Sequence, residues 1–168
     1  MELVFYIAGA VAVAATLMML AQLNAVHALL YLVVSLLAVA IIFYTLGAPF
    51  AAALEVIIYA GAIMVLFVFV VMLLNLGRAA IETERTWLST VSWTGPIILA
   101  AILVAEFVYL LRQRAGGASP EVISPVEVGS TLFGPYMLGV ELASMLLLGG
   151  LVGAYHLGRR APRQPEAQ

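Results

Sequence analysis

Five long apolar runs, separated by short polar or Gly/Pro-containing segments, form the main pattern of this sequence. The runs cover about residues 3–21, 25–46, 50–76, 91–111 and 132–157. A helix needs about 20 mostly apolar residues to cross the hydrocarbon core of a bilayer, so each run predicts a membrane-spanning helix. We therefore expect an all-α polytopic membrane protein with five transmembrane helices. Residues 1–168 are expected to form a single membrane domain with a mobile tail over residues 159–168.

The segments between the runs contain residues that interrupt helices. Gln22 and Asn24 separate the first two runs, and Gly47-Ala48-Pro49 separates the second from the third. Proline disfavours helical backbone at the preceding residue, which predicts a helix start there. Gly77 is a typical helix stop after the third run. The segment from Arg112 to Ser130 contains Gly-Gly and two Ser-Pro pairs, and we expect an irregular connection.

Composition supports the membrane assignment and excludes several kinds of site. The chain is 65% hydrophobic and 10% charged, whereas soluble domains are close to half apolar and a quarter charged. The net charge of −2 gives no indication of a nucleic-acid partner. Cysteine is absent, so thiolates are not available for a disulfide, a zinc site or an iron–sulfur cluster. Only two histidines occur, far apart, so we expect no metal or redox centre on this chain.

The arginines predict an orientation in the membrane. With five spans, the segments after the first, third and fifth runs lie on one side, and these carry five of the seven arginines. The five are Arg78, Arg85, Arg159, Arg160 and Arg163, against Arg112 and Arg114 on the other side. The positive-inside rule then places the C-terminus in the cytoplasm and the N-terminus in the periplasm. Only Glu2 precedes the first run, in place of the basic start of a signal peptide, so we expect this run to be retained.

The third run carries the main candidate functional residues. Glu55 lies near its start and Tyr59 follows four residues later, on the same face of a helix. A carboxylate in a membrane helix costs about 2.5–3.5 kcal/mol on insertion scales, which a plain anchor has no reason to bear. One interpretation is a polar patch on a proton or ion route. The other is that Glu55 lies at the headgroup level, because the turn at Pro49 is near.

Small residues follow Tyr59 and recur in the fifth run. Ala60, Gly61 and Ala62 are compatible with a close helix contact or with a π-bulge, which is found mostly at functional sites. The sequence alone favours the packing interpretation. Gly149 and Gly153 have the GxxxG spacing of a helix contact face.

Three further polar residues lie in or at the edges of the runs. Glu141 lies about three turns into the fifth run, and we favour a subunit contact or a polar network for it. Glu106 is either a buried acid or an interfacial residue beside Arg112, and the sequence favours the interface. His27 is expected at the interface, at the start of the second helix.

Three segments carry a resemblance to a known family. The sequence EVIIYAGAIMVLFVFVVMLLNL at residues 55–76 resembles the third transmembrane helix of the subunit J family of bacterial respiratory complex I, the proton-pumping NADH:quinone oxidoreductase. The mitochondrial counterpart is the sixth mitochondrially encoded membrane subunit. NAVHALLYLVVSLLAVAIIFYTL at residues 24–46 and LFGPYMLGVELASMLLLGGLVGAYHLG at residues 132–158 are similar to the same family. The resemblance is weak in residues 78–93, in the fourth run and in the tail.

The resemblance implies a role in a large assembly. It implies a non-redox subunit of the membrane arm, in the bacterial inner membrane, beside subunits K, H and A and the N-type antiporter-like subunits. FMN, iron–sulfur clusters and quinone then belong to other subunits, and no cofactor belongs to this chain. The enzyme as a whole would be a proton-translocating NADH:quinone oxidoreductase, and this chain would couple quinone reduction to proton translocation.

The resemblance also implies site residues. A π-bulge in the third helix is implied, and its conversion to regular α-helix would open or close a water chain. The implied gate residues are Tyr59, Ala60, Gly61, Ala62, Ile63, Met64 and Val65. The implied proton route includes Glu55, Tyr59 and Glu141.

Two alternatives lie in other functional classes. A component of a cation/proton antiporter would carry several carboxylates at mid-membrane, and this chain offers only Glu55, Glu141 and Glu106 as candidates. A purely structural scaffold subunit would tolerate at Tyr59 and Gly61 any residue that packs.

Overall fold

The structure is a computed structural model that describes residues 2–23, 25–74, 90–115 and 122–158. Its elements are α1 (Glu2–Ala21), α2 (Ala25–Thr45), α3 (Pro49–Leu54), a π segment (Glu55–Ile63), α4 (Met64–Leu74), α5 (Thr90–Ala115), α6 (Pro125–Leu132) and α7 (Met137–Gly158). No strand occurs in these ranges, so the predicted all-α class is confirmed. The tail over residues 159–168 and the predicted helix stop at Gly77, within residues 75–89, lie outside the described residues.

Five stretches of the described chain are long and apolar enough to cross a membrane. We call them spans one to five: Glu2–Ala21, Ala25–Thr45, Pro49–Leu73, Trp93–Gln113 and Met137–Gly158. They match the five predicted runs to within a few residues at most ends. The exception is the fifth, which begins at Met137 and not near Leu132, because α6 and a turn over residues 133–136 take up that stretch.

The chain divides into two compact units, Met1–Ile123 and Ser124–Gln168. The core of the first unit lies between α1, α2 and α5. Its buried apolar residues are Val4, Ala8, Val11 and Ala15 of α1, Val34, Ala38 and Ile41 of α2, and Leu103 and Leu110 of α5. The alanines of α1 allow α2 to approach closely, and the two helices also share a hydrogen bond between Thr16 Oγ1 and Ser35 Oγ, 2.9 Å apart.

The turn into span three forms as the sequence predicts. Gly47 has φ of +82°, a left-handed conformation that glycine adopts without a steric penalty. Pro49 occupies the first turn of α3, where its missing N–H costs nothing. The N–H of Ile123 donates to the carbonyl oxygen of Gly47 at 2.9 Å. This hydrogen bond ties the end of the first unit to the start of span three.

The second unit contains a helix that the sequence analysis missed. The connection over residues 112–130 was expected to be irregular, but α5 continues to Ala115 and α6 begins at Pro125. Ser124 caps α6 by accepting a hydrogen bond from the N–H of Glu127 at 3.2 Å. Serine at the cap, proline in the first turn and an acid in that turn are all strong helix-start signals, which explains why this polar segment is helical.

Candidate functional site

Span three is one continuous helix whose middle is wound as a π-helix. The backbone is helical at both junctions, with φ/ψ of −63°/−40° at Leu54 and −65°/−40° at Met64. The N–H of Glu55 donates to the carbonyl oxygens of both Ala51 and Ala52. At the other end, the N–H of Met64 donates to the carbonyl oxygens of Gly61 and Tyr59, and the bond to Tyr59, five residues earlier, has the π pattern. The helix therefore changes winding twice without breaking.

The π winding starts earlier than the gate implied by the family resemblance. The implied residues 59–65 and the observed segment Glu55–Ile63 share residues 59–63, whereas Met64 and Val65 belong to α4. A π turn joins a carbonyl to the N–H five residues later. The residues whose carbonyls accept these hydrogen bonds are therefore part of the π segment, and for this reason the segment begins as early as Glu55.

Gly61 occupies a tight position in the π segment. A β-carbon built on Gly61 would lie 3.1 Å from the carbonyl oxygen of Val56, five residues earlier. This is tighter than most contacts of real β-carbons, so a side chain here would push against the carbonyl that characterises the π winding. In an α-helix the hydrogen-bonding carbonyl is the one four residues earlier, which relieves this contact. A glycine at position 61 therefore favours the π winding.

Glu55 and Tyr59 both lie on the π segment and face away from the core of the first unit. Glu55 is partly exposed, and Tyr59 is 49% exposed. Neither side chain makes a hydrogen bond to another residue in the described part of the chain. Their polar atoms are therefore available to water or to a neighbouring subunit.

A groove separates the start of the π segment from α2 and α5. Its volume is about 540 Å³. Its walls are Leu37, Ala40, Ile41 and Tyr44 of α2, Ala100, Leu103, Val104 and Phe107 of α5, and Pro49, Ala52, Ala53, Val56 and Ile57 of span three. This open, apolar space leaves room on one side of the π segment for its side chains to move if the winding changes.

Two polar residues that were expected at the interface are buried inside the first unit. Glu106 is only 7% exposed, and neither carboxylate oxygen has a hydrogen-bond partner among the described residues. His27 is 5% exposed, with its ring edge-on to the ring of Trp93 at a centroid distance of 6.3 Å. Burial among α1, α2 and α5 shows which face of its helix each residue occupies but not its depth in the membrane, so the interfacial position of both stays a prediction.

The candidates of span five lie on the second unit and are exposed within this chain. No described residue of α7 is buried, and Glu141 shares this exposure. The hydroxyl of Ser144 donates to the backbone carbonyl of Glu141 at 2.7 Å. A β-carbon on Gly149 or Gly153 would meet no atom within 4 Å. No contact within the second unit accounts for the roles predicted for these three residues, which stay predictions.

Across the described ranges, no three His, Asp or Glu side chains lie close enough to hold a metal ion together. The polar groups that the described residues offer are single acids, hydroxyls, amides, the Arg112 guanidinium and two imidazoles, those of His27 and His156. Such groups are suited to proton exchange and hydrogen bonding.

Known proteins are similar to this chain over nearly all of its length. The family model for NADH-ubiquinone/plastoquinone oxidoreductase chain 6 matches residues 15–157. NADH-quinone oxidoreductase subunit J of Pseudomonas aeruginosa is 56% identical over 166 residues, which are 98% of this chain and 100% of that protein. The protein of the same name from Escherichia coli K12 is 59% identical over 160 residues, which are 95% of this chain and 87% of that protein.

A more distant relative has the same name. NADH-quinone oxidoreductase subunit J of Buchnera aphidicola subsp. Schizaphis graminum is 48% identical over 160 residues, which are 95% of this chain and 98% of that protein. Together with the five apolar helices, these matches show a multi-pass membrane protein of respiratory complex I. The chain belongs to the NADH-ubiquinone/plastoquinone oxidoreductase chain 6 family, whose bacterial members here are subunits J of NADH-quinone oxidoreductase.

Proposed function

We propose that this chain couples quinone reduction to proton translocation through a conformational gate in span three. The observation that carries the proposal is the π segment Glu55–Ile63 in the middle of a helix that is otherwise regular. π winding is rare and occurs mostly at functional sites. The chain supplies no redox centre in this proposal, and FMN, iron–sulfur clusters and quinone are held by other subunits of the complex.

The gate requires two windings of similar free energy. A two-state element responds to its neighbours when the states differ by at most a few kcal/mol. Conversion of the π segment to α winding would rotate α4 relative to α3, because the two windings have different numbers of residues per turn. Gly61 permits the π state by its lack of a β-carbon, and the groove beside Val56 and Ile57 gives space for the movement.

Glu55 and Tyr59 would move with this rotation. Both side chains lie on the π segment without a partner in the described chain, so a change of winding would bring them to, or remove them from, a water chain. A carboxylate accepts a proton, and a phenol hydroxyl both donates and accepts hydrogen bonds. Glu141 of span five would add a second acid to the same route, shared with a neighbouring subunit.

In this proposal the chain lies in the bacterial inner membrane, with its N-terminus in the periplasm and its C-terminus in the cytoplasm. The arginine distribution supports this orientation. The neighbours in the proposal are subunits K, H and A and the N-type antiporter-like subunits. Span five, in which no described residue is buried, and the exposed half of span three offer the surfaces for such contacts.

The decisive experiment changes the size of residue 61 in the assembled complex. Gly61→Ala and Gly61→Leu should progressively disfavour the π winding, because each places a carbon against the Val56 carbonyl. We expect NADH dehydrogenation with a soluble acceptor to survive, and quinone-linked turnover and proton pumping in membrane vesicles to fall together. Gly129→Ala is the matched control, since a β-carbon there meets nothing within 4 Å and α6 lies outside the spans.

Tyr59→Phe separates hydrogen bonding from packing at the gate. It removes one hydroxyl and keeps the ring, and a net hydrogen bond is worth about 0.5–1.5 kcal/mol. We therefore expect a partial loss of pumping in an assembled complex. If Gly61→Leu assembles on a native gel and pumps at the wild-type rate, the gate fails and the scaffold alternative holds. Cation transport by the complex without NADH oxidation would favour the antiporter alternative.

A further inference from the structure

Among the described residues, the buried side-chain nitrogen and oxygen atoms without a hydrogen-bond partner all lie on two helices of the bundle of α1, α2 and α5. They are His27 Nε2, both oxygens of Glu106 and Gln113 Oε1, on α2 and α5. The buried polar residues of the described chain, His27, Ser35 and Glu106, belong to the same bundle of α1, α2 and α5. Glu55 and Tyr59 lie on span three, which is not one of these three helices.

One set of polar groups in this bundle lies along α2. His27, Tyr31 and Ser35 are four residues apart, so they lie on one face, and all three are buried. Ser35 Oγ is 2.9 Å from Thr16 Oγ1 and donates to the backbone carbonyl of Ala12 at 3.2 Å. Hydrogen-bonding groups therefore continue from the start of α2 to its middle, against α1.

The other set of polar groups lies along α5. Leu103, Glu106, Leu110 and Gln113 succeed each other at three- and four-residue spacings on one face of α5. Leu103 and Leu110 belong to the core shared with α1 and α2, so Glu106 and Gln113 face the same bundle. Gln113 is at the end of span four, and Glu106 lies about 10 Å before it, at 1.5 Å per residue.

The two sets follow one another along the bundle. Trp93 contacts His27, and the backbone of Gly95 contacts the Tyr31 hydroxyl, so α5 runs in the same direction as α2. Gly95 and Tyr31 lie at the same level of the bundle. Glu106 follows Gly95 by eleven residues on α5, and Ser35 follows Tyr31 by four residues on α2, so Glu106 lies about 10 Å beyond Ser35 along the bundle. The path from Trp93 to Gln113 is about 30 Å long, the thickness of a bilayer's hydrocarbon core.

Buried polar atoms without partners are costly, which argues for partners that the single chain lacks. An unsatisfied buried polar group costs about 1–3 kcal/mol, and more when it is charged. A neighbouring subunit cannot easily reach Glu106, because this chain alone already covers it. Internal water is the usual partner of such groups.

We propose that His27, Ser35, Glu106 and Gln113 mark a water-assisted proton path through the bundle of α1, α2 and α5, with Glu106 as its proton-binding group. Each proton that enters displaces another: a carboxylate oxygen of Glu106 accepts a proton from one water and later gives it to the next. The carboxyl group returns to its starting form, and no electron moves. This proposal rests on the proposed function in one respect only, that the complex translocates protons.

The other titratable groups around Glu106 do not satisfy it. Among the side chains that the structure describes on the helices of this bundle, they are Glu2 and Tyr6 of α1, His27, Tyr31 and Tyr44 of α2, and Tyr109 and Arg112 of α5. Within the described residues none of them makes a hydrogen bond to the Glu106 carboxylate. Glu106 therefore has no fixed donor or countercharge to hold it in one protonation state.

The test measures protons pumped per NADH oxidised, with the assembled complex in membrane vesicles. Glu106→Gln keeps the shape but binds no proton, Glu106→Leu also removes the polar atoms, and Glu106→Asp keeps a carboxyl group. We expect the ratio to fall for Gln and Leu and to be partly retained for Asp, with NADH dehydrogenation unchanged. Glu127→Gln, at an exposed acid outside the spans, is the matched control and should match wild type.

A second set of variants keeps the proposal testable if the Glu106 variants do not assemble. Thr16→Val removes the hydroxyl that contacts Ser35 of the path, and Gln113→Leu removes a polar group of the path itself. Each should lower the same ratio. If Glu106 takes no part in proton transfer, Glu106→Leu should leave the number of protons pumped per NADH unchanged, because replacing an unpaired buried acid by leucine is neutral or stabilising. If Glu106→Leu, or Thr16→Val and Gln113→Leu in its place, assemble and pump with the wild-type ratio, the path does not exist. This test does not depend on the gate: the Glu106 variants can lower the ratio even if the Gly61 variants pump normally.

Discussion

The hydroxyl of Tyr31 on α2 occupies the space that a β-carbon on Gly95 of α5 would fill. The ring of Tyr31 lies over the same point of the α5 backbone, and the residue is buried. A buried ring in a packed interior has little freedom to move aside. Glycine at position 95 therefore fixes how closely spans two and four approach.

Gly95→Ala should loosen the first unit. The added methyl group overlaps the Tyr31 hydroxyl, and overpacking of this kind costs about 1–3 kcal/mol. We expect the complex to lose this subunit at a lower temperature, measured by native gel after heating. Tyr31→Phe removes the overlapping oxygen and should restore part of the loss in the double variant. Equal heat stability of Gly95→Ala and wild type would contradict the close contact.

Span five offers a second packing prediction, this time between subunits. No described residue of α7 is buried, and the GxxxG face of Gly149 and Gly153 meets no atom within 4 Å. Gly149→Leu and Gly153→Leu should reduce the amount of assembled complex, because a neighbouring helix could no longer lie close. Alanine at either position should have a smaller effect, and Leu151→Ile, which conserves volume, should have none. Wild-type assembly of both leucine variants would rule out this contact face.

The sequence predicted the number and placement of the spans because long apolar runs and their interruptions are sufficient for that purpose. It also predicted the turn before Pro49, where a glycine with positive φ precedes a proline in the first helical turn. It missed α6 although Ser124, Pro125 and Glu127 are standard helix-start residues. The polar, Gly- and Ser-rich composition of the connection outweighed this short capping signal.

The candidate site was less predictable, and the reason is physical. A helix that is apolar all round carries no indication of which face packs inside its own chain, so burial of His27 and Glu106 could not be read from periodicity. The spacing of Glu106 and Gln113 with Leu103 and Leu110 would have suggested one shared face. The position of the π segment depends on which carbonyls accept hydrogen bonds, and the composition of residues 55–65 does not specify this.

The orientation of the chain gives the last prediction. The arginine distribution predicts a cytoplasmic C-terminus and a periplasmic N-terminus, since positive loops are retained inside. The chain has no native cysteine, so Gln168→Cys and Glu2→Cys each introduce a single thiol in this subunit. A membrane-impermeant maleimide should label Glu2→Cys in intact spheroplasts and Gln168→Cys only in inverted vesicles, with this subunit resolved on a gel. Glu2→Cys is the internal control for access from outside, and labelling of Gln168→Cys in intact spheroplasts would reverse the assigned topology.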